Sequence, residues 1–139
     1  MFTEDYVLRQ ISLLVAVLMK VTGLAKGGEY QDAHQVIDQT IEEVFGLDAE
    51  IVKQLDEPGL TSLLTSAYGI DLGKYYLLAG LLDAEGDVLA SQHREKESRQ
   101  DYQRALDLYL KLSANPPADL EQEIQLKILE IQKKLDLQD

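Results

Sequence analysis

Apolar and polar residues recur along this chain at the three- and four-residue steps that are typical of amphipathic helices. The spacing is clearest in 30–45, where Glu, Gln and Asp separate the apolar positions. Similar spacing predicts further helices at about 7–25, 49–55, 71–92, 98–112 and 118–135, and a short one that begins at Pro58. The predicted fold class is therefore all-α, with five long helices and one or two short ones packed as antiparallel hairpins in a repeat-like array. A chain of 139 residues favours one domain, 1–139, with a single core.

The predicted first helix contains the longest uninterrupted apolar run of the chain, 13–19. Thr3 is expected as its N-cap, with Phe2 packed against Val7 as a hydrophobic staple. Apart from one narrow polar stripe, almost every position around this helix is apolar. Such a helix needs cover from more than one side, so we expect it to be the central element, buried by its neighbours or by a second copy of the chain.

Two membrane-related interpretations of this helix are less favoured. A transmembrane span needs about 20 mostly apolar residues. Polar residues interrupt the run here, namely Arg9, Ser12, Lys20 and Thr22. A signal peptide begins with basic residues, whereas Glu4 and Asp5 outweigh Arg9. Small residues that resemble its cleavage site are nevertheless present at Gly23 and Ala25.

Capping residues mark most of the predicted helix ends. Gly46 ends the second helix, and Asp48 and Asp71 are placed as N-caps of later ones. Ser98 followed by Asp101 resembles a capping box, which predicts that a helix starts there. Further breaks are expected where glycine and proline cluster, at Gly27, Gly28, Gly69, Asn115, Pro116 and Pro117.

Gly86 lies inside the helical pattern of 71–92 and has two interpretations. In the interpretation that we favour, Gly86 is a small residue that permits close packing within a continuous helix. The alternative is a turn at Gly86 and Asp87. A glycine in a helix interior costs only about 1 kcal/mol relative to alanine, which is too little to decide between them.

The charge and the absence of cysteine narrow the function classes. A net charge of −12 argues against nucleic acid and against anionic membrane surfaces as partners. Nine acidic residues between Glu29 and Glu57 are opposed only by Lys53, which marks either a docking face for a basic partner or simply a solvated side. Without cysteine there is no disulfide and no thiolate, and a cytoplasmic location fits best.

The segment from Tyr75 to Pro117 resembles a tetratricopeptide repeat. The matching positions are Tyr75, Leu78, Ala79 and Leu82 in its first helix, with Ala105, Tyr109 and Pro117 in its second. Leu82 and Ala105 are 23 residues apart, so each helix would be about two turns longer than in the compact repeat.

The chain as a whole is similar to an uncharacterised family of small bacterial proteins with repeat-like helices. The likeness runs from the opening at 1–6, through the corner at Gly46, Leu47 and Asp48, to the helix at 102–112. This resemblance implies a compact helical fold and a bacterial, cytoplasmic setting. It brings no catalytic or binding residues.

Candidates for chemistry are few. His34, Asp38 and Glu42 share one helical face at four-residue steps, a pattern that could hold a metal ion. A polar ladder on an exposed helix side explains the same residues better. No phosphate-binding loop or nucleophile elbow is visible. We therefore predict no catalytic, cofactor or metal site, and no enzyme activity.

Three tyrosines lie close together near the start of the helix at 71–92. Tyr75 falls on the apolar stripe and is expected in the core. Tyr76 could line a recognition groove, although partial burial is the commoner fate of tyrosine. Tyr68 precedes the helix and is a further candidate for partner binding.

These observations favour a protein-binding or scaffolding module of unidentified partner. Its candidate contact residues are Tyr68, Tyr76, Asp38 and Glu42. The alternative is a homo-oligomeric structural protein, such as a homodimer, that uses the first helix as its interface. A metal-dependent enzyme built on His34 is the least favoured hypothesis.

Overall fold

A computed structural model describes residues 4–117 and 119–137. In chain order the elements are α1 (Glu4–Lys26), α2 (Tyr30–Phe45), α3 (Ala49–Gln54), α4 (Glu57–Leu64), β1 (Thr65–Ser66), β2 (Gly69–Ile70), α5 (Leu72–Ser91), α6 (Glu95–Ser113) and α7 (Glu121–Leu137). The all-α class, with five long and two short helices in the described residues, is confirmed; the two strands form only a small antiparallel hairpin. The predicted cap Thr3, its staple partner Phe2 and the predicted helix start Ala118 lie outside the described residues.

The long helices pack as neighbouring hairpins around one hydrophobic core. Helix α1 packs against α2 and α5, α5 packs extensively against α6, and α7 covers α6. Lys134 also ties α7 to α5, because its Nζ lies 2.9 Å from Asp83 Oδ1 and 3.0 Å from Asp87 Oδ1. Helices α5 and α6 have 20 and 19 residues, lengths that accommodate the wide spacing of the repeat-like pattern. The likeness to a tetratricopeptide repeat itself stays a prediction.

Helix α5, not α1, is the central element, so that expectation from the sequence is wrong. Fourteen of the 20 residues of α5 are buried, whereas α1 buries only four of its 23. Helix α1 packs through one face, and on its other side Leu8, Val15 and Met19 remain 46%, 52% and 72% exposed. Helix α1 is apolar on this side as predicted, but no described element covers it.

Helix α1 is nevertheless an integral part of the fold. Leu14 fits against Gly80 on α5 so closely that a Cβ there would lie 2.6 Å from Leu14 Cδ2. The Tyr6 hydroxyl donates to Asp71 Oδ2 at 2.6 Å. By length and a mean hydropathy of 1.7, α1 is also long and apolar enough to cross a membrane, a property shared by core helices and signal sequences.

The predicted caps of α3 and α5 are confirmed. The Asp48 side chain accepts from Glu50 N, and the Asp71 side chain accepts from Lys74 N. Gly46 ends α2 with a left-handed backbone at φ 72°, which glycine adopts without steric cost.

The predicted capping box at Ser98 is wrong, because α6 begins three residues earlier at Glu95. Ser98 lies inside the helix, is fully buried, and its hydroxyl donates to Gly86 O at 2.7 Å. The prediction that Gly86 lies within a continuous helix is confirmed. A Cβ at Gly86 would lie only 2.5 Å from Cε1 of Tyr102, so glycine permits α5 and α6 to approach closely here.

Candidate functional site

A polar cleft of about 710 Å³ opens between α2, α3, α5 and α6, and we call it the polar cleft. Its charged lining consists of His34, Asp38, Glu50, Lys53, Glu85, Arg94, Glu97, Asp101, Arg104 and Asp107. A smaller groove of about 400 Å³, the α2 groove, runs along α2 from Gln31 to Glu42 and shares His34 and Asp38 with the polar cleft. Together the two form a continuous, strongly polar surface.

Helical periodicity explains why these side chains meet. His34 and Asp38 lie one turn apart on α2, directly beside the buried positions Ala33 and Ile37, so they stand at the edge of the core. Glu85 projects from the central helix α5 and is only 5% exposed, and it forms the floor of the polar cleft.

Glu85 is the centre of a hydrogen-bonded network. Lys53 Nζ lies 2.9 Å from Glu85 Oε1 and also donates to Asp38 Oδ1 at 2.5 Å. Burial alone would raise the pKa of Glu85, but hydrogen bonds from His34 and Asp101 and the charge of Lys53 hold it well below its usual range. Burial likewise opposes the charge on Lys53, yet the Glu85 and Asp38 carboxylates raise its pKa above the usual value.

Asp101 on α6 behaves in the opposite way to its neighbour Glu85. The pKa of Asp101 is raised to about 8, chiefly because the side chain is buried. The hydrogen bond to Glu85 and the charge of Glu85 raise it further. Its Oδ2 is buried and receives no hydrogen bond from a described donor. Two adjacent carboxyl groups share a site most easily when one is protonated, so Asp101 holds a proton at neutral pH and donates it to Glu85.

His34 closes the other side of the network. Its Nδ1 lies 3.2 Å from Glu85 Oε2, and its Nε2 lies 2.7 Å from Gln92 Oε1. Both partners are acceptor oxygens, so both ring nitrogens donate in this arrangement, which favours the imidazolium form. The hydrogen bond to Glu85 is the main reason that the pKa of His34 is raised, against the opposing effect of burial.

The remaining basic residues of the polar cleft are also engaged within the chain. Arg104 donates through Nη2 to the carbonyl oxygen of Leu55, just beyond the end of α3. Arg94 pairs with Glu97, three residues further along the chain. The cations that line the polar cleft therefore have internal partners, whereas the side chains of several acidic residues face solvent.

The residues of the metal hypothesis take separate partners. His34 binds Glu85 and Gln92, Asp38 binds Lys53, and Glu42 Oε2 accepts from Ala49 N at 3.2 Å. Across residues 4–117 and 119–137, no group of three His, Cys, Asp or Glu side chains is arranged to hold a metal ion. His34 and Asp38 are half-buried and bond to residues outside α2, so they are not the ladder on an exposed helix side that the sequence favours.

The four candidate partner-binding residues do not form one patch. Asp38 and Glu42 both line the α2 groove. Tyr68 lies in the turn between β1 and β2 and is 69% exposed. Tyr76 is only 5% exposed and packs edge-on against the ring of Tyr109, with 6.0 Å between centroids. The expectation that Tyr76 lines a groove is therefore wrong, because the neighbouring helices cover most of α5, including this face. Tyr75, at 1% exposed, is in the core as predicted.

Sequence reasoning missed Glu85 and Asp101 as site residues. The sequence could have indicated Glu85, because an acidic residue inside a mostly apolar helix needs a hydrogen-bond or ion-pair partner when that helix is buried. Asp101 falls in a cap-like sequence pattern, and its neighbour across the cleft is 16 residues away in sequence. Only the packing of α5 on α6 brings the two together.

Comparison with known proteins finds no family model, no curated protein and no solved structure that matches this chain.

Proposed function

We propose that this protein is a helical protein-binding module and that the polar cleft and the α2 groove bind a basic segment of a partner protein. The observation that carries the proposal is the unequal engagement of charges along this surface. Lys53 is held by Glu85 and Asp38, and Arg104 by a backbone carbonyl, so neither is free to meet an acidic ligand.

Several acidic residues at the rim of the same surface are open to solvent. The side chain of Glu50 is 69% exposed and that of Asp38 is 35% exposed. Glu42 and Asp107 are likewise exposed. Asp38 and Glu50 already face Lys53, at 2.5 Å and 3.8 Å, whereas Glu42 and Asp107 form no ion pair with another described residue. A Lys or Arg side chain of a partner would therefore meet Glu42 and Asp107 without first displacing an internal ion pair.

Glutamine side chains supply the complementary polar contacts. Gln31, Gln35 and Gln39 are exposed along the α2 groove. Each amide offers both donors and an acceptor, which suits the N–H and C=O groups of an extended peptide backbone. The fixed network beneath them, centred on Glu85, provides a preorganised floor.

The proposal assigns no catalytic role to the polar cleft. A network in which charged groups pair with counter-charges or hydrogen bonds fixes the shape of the surface, which suits binding. We place this binding role in the cytoplasm.

The test is a quantitative crosslinking pull-down from cytoplasmic extract, followed by affinity measurement with the basic segment of each recovered partner. The cleft variant combines Glu42→Gln, Glu50→Gln and Asp107→Asn, which removes three exposed charges and leaves Lys53 and Glu85 in place. At about 0.2 to 1 kcal/mol for each of the three exposed charge pairs, we expect roughly a 3- to 150-fold loss of affinity, and binding that weakens as salt is raised.

A matched control removes three exposed acids from α7. These are Glu121→Gln, Glu123→Gln and Asp136→Asn, so that the net charge changes equally. The control should bind like the wild type. If the cleft variant binds as well as the control, or if no partner is recovered even after crosslinking, this function is ruled out.

A further inference from the structure

The exposed side of α1 forms a continuous uncharged strip. Leu8, Val15 and Met19 are separated by seven and four residues, so they fall on one helical face. Ser12 and Thr22, both exposed, lie on the same face between and beyond them. We call these five residues the α1 seam. Such a strip of large apolar and small polar side chains is typical of a surface that packs against another helix.

The seam belongs to a firmly placed helix. The opposite face of α1 packs Leu14 into the space left by Gly80 and Val21 into the core, where Val21 is 2% exposed. Rotating α1 to bury the seam would break these contacts. A contiguous apolar face that the fold holds outward marks an interaction site.

The ends of α1 make the seam complementary to itself. Glu4 lies 11 residues before Val15, and Lys26 lies 11 residues after it. Two α1 helices that run antiparallel with Val15 at the two-fold axis would therefore place Glu4 of each copy opposite Lys26 of the other. By the same symmetry Leu8 meets Thr22. A parallel pair would instead bring like charges together at both ends.

The charges at these ends are available. Neither Glu4 nor Lys26 forms an ion pair with another described residue. The helix carries three basic and two acidic residues, a net charge of 3 − 2 = +1, in a chain whose net charge is −12. It is the only one of the five long helices with a positive balance. Two acidic molecules therefore approach each other with least repulsion along α1.

We propose that a second copy of this chain covers the α1 seam and forms an antiparallel homodimer with its two-fold axis at Val15. Antiparallel alignment also sets the acidic, positive-dipole start of one helix beside the basic end of the other. A helix of 23 residues is about 34 Å long, so the interface is small, and we expect reversible association in the micromolar range. This interface is separate from the polar cleft.

Single cysteine substitutions test the register directly, because the chain contains no cysteine. Under mild oxidation Val15→Cys should form a disulfide dimer, since the residue meets itself at the axis. Leu8→Cys alone should not, whereas a mixture of Leu8→Cys and Thr22→Cys protein should form the mixed dimer. Leu126→Cys, at an exposed apolar position on α7, measures the collisional background.

Sedimentation equilibrium from about 1 µM to about 1 mM tests association without crosslinks. Val15→Glu should raise the dissociation constant at least tenfold, because two carboxylates meet at the axis, while Leu126→Glu leaves it unchanged. Glu4→Lys or Lys26→Glu alone should weaken the dimer roughly 3- to 30-fold, and the double variant should restore it. Circular dichroism checks that each variant keeps its helices.

Three results would overturn the proposal. One is a monomer at every concentration, another is crosslinking of Leu8→Cys with itself above the Leu126→Cys background, and the third is a double charge variant no better than its single parents. Monomeric protein that co-sediments with vesicles of phosphatidylcholine and phosphatidylglycerol would assign the seam to lipid and refute the dimer. The cleft variant, with Glu42, Glu50 and Asp107 neutralised, should dimerise normally, so the two proposals fail separately.

Discussion

The protonated state of Asp101 predicts an unusual dependence of stability on pH. An aspartate in an unfolded chain titrates near 3.9, whereas the pKa of folded Asp101 is raised to about 8 by burial and by Glu85. Between these values the folded chain binds more protons than the unfolded chain. Its free energy of unfolding therefore falls as pH rises through this window, by up to about 1.4 kcal/mol for each pH unit.

The other members of the network leave this sign unchanged between pH 5 and 8. The lowered pKa of Glu85 adds stability only above the acid range in which it titrates, and that stability is lost below pH 5. The raised pKa of His34 acts in the same direction as Asp101, because its contribution is lost as pH rises through its folded pKa. Between pH 5 and 8 the free energy of unfolding should fall by a few kcal/mol in total, and Asp101 alone can contribute at most about 4 kcal/mol of this.

Asp101→Asn separates the contribution of this one proton. The amide of asparagine still donates to Glu85 but does not titrate. The free energy of unfolding of the variant should therefore match that of the wild type within about 1 kcal/mol at pH 5 and exceed it at pH 8. Urea unfolding followed by circular dichroism measures both free energies. Asp107→Asn, an exposed position on the same helix, controls for loss of a carboxylate, and His34→Gln isolates the histidine contribution. Parallel pH profiles for the wild type and Asp101→Asn would show that Asp101 is ionised and refute the reasoning.

Two further predictions concern the packing around α5. Lys53→Met should lower the free energy of unfolding by about 3 to 5 kcal/mol, because it leaves the Glu85 carboxylate buried without the Lys53 ammonium. Adding Glu85→Gln should recover most of this stability. A loss below about 1 kcal/mol for Lys53→Met would contradict the network. Gly86→Ala should cost about 1 to 3 kcal/mol through its clash with the Tyr102 ring, despite a helix-propensity gain of about 1 kcal/mol. Gly23→Ala is the control, because a Cβ there meets nothing within 4 Å and the variant should keep the helix-propensity gain. Thermal unfolding compares the two variants, and a Gly86→Ala protein more stable than the Gly23→Ala protein would refute close packing at Gly86.

The local signals of the sequence predicted most helices well. The amphipathic period of α2 and the caps at Asp48 and Asp71 depend on residues within one or two turns of each other, so their physics is visible in the sequence. The same reasoning failed at Ser98, where a cap-like pattern lies inside α6. There the hydroxyl bonds to Gly86 O, a group 12 residues away that the local pattern does not include.

The candidate site was only partly predictable. Asp38 and Glu42 share one face of a single helix, which the sequence shows directly, and both line the α2 groove; their role in partner binding stays a prediction. The polar cleft beside them needs Glu85 from α5 and Asp101 from α6, and nothing in the sequence reports how those two helices are placed. Tyr76 was misjudged for a related reason, since its exposure depends on the helices that surround α5.

The amino-acid sequence by itself determined the all-α class, the number of long helices and the apolar character of α1, because each follows from composition and short-range periodicity. The tertiary structure alone decided which apolar helix is surrounded. Periodicity shows which faces of a helix are apolar but not which helices pack against them, and here neighbours cover most of α5 but only one face of α1. The same packing brought Glu85 and Asp101 together and left Val15 facing outward.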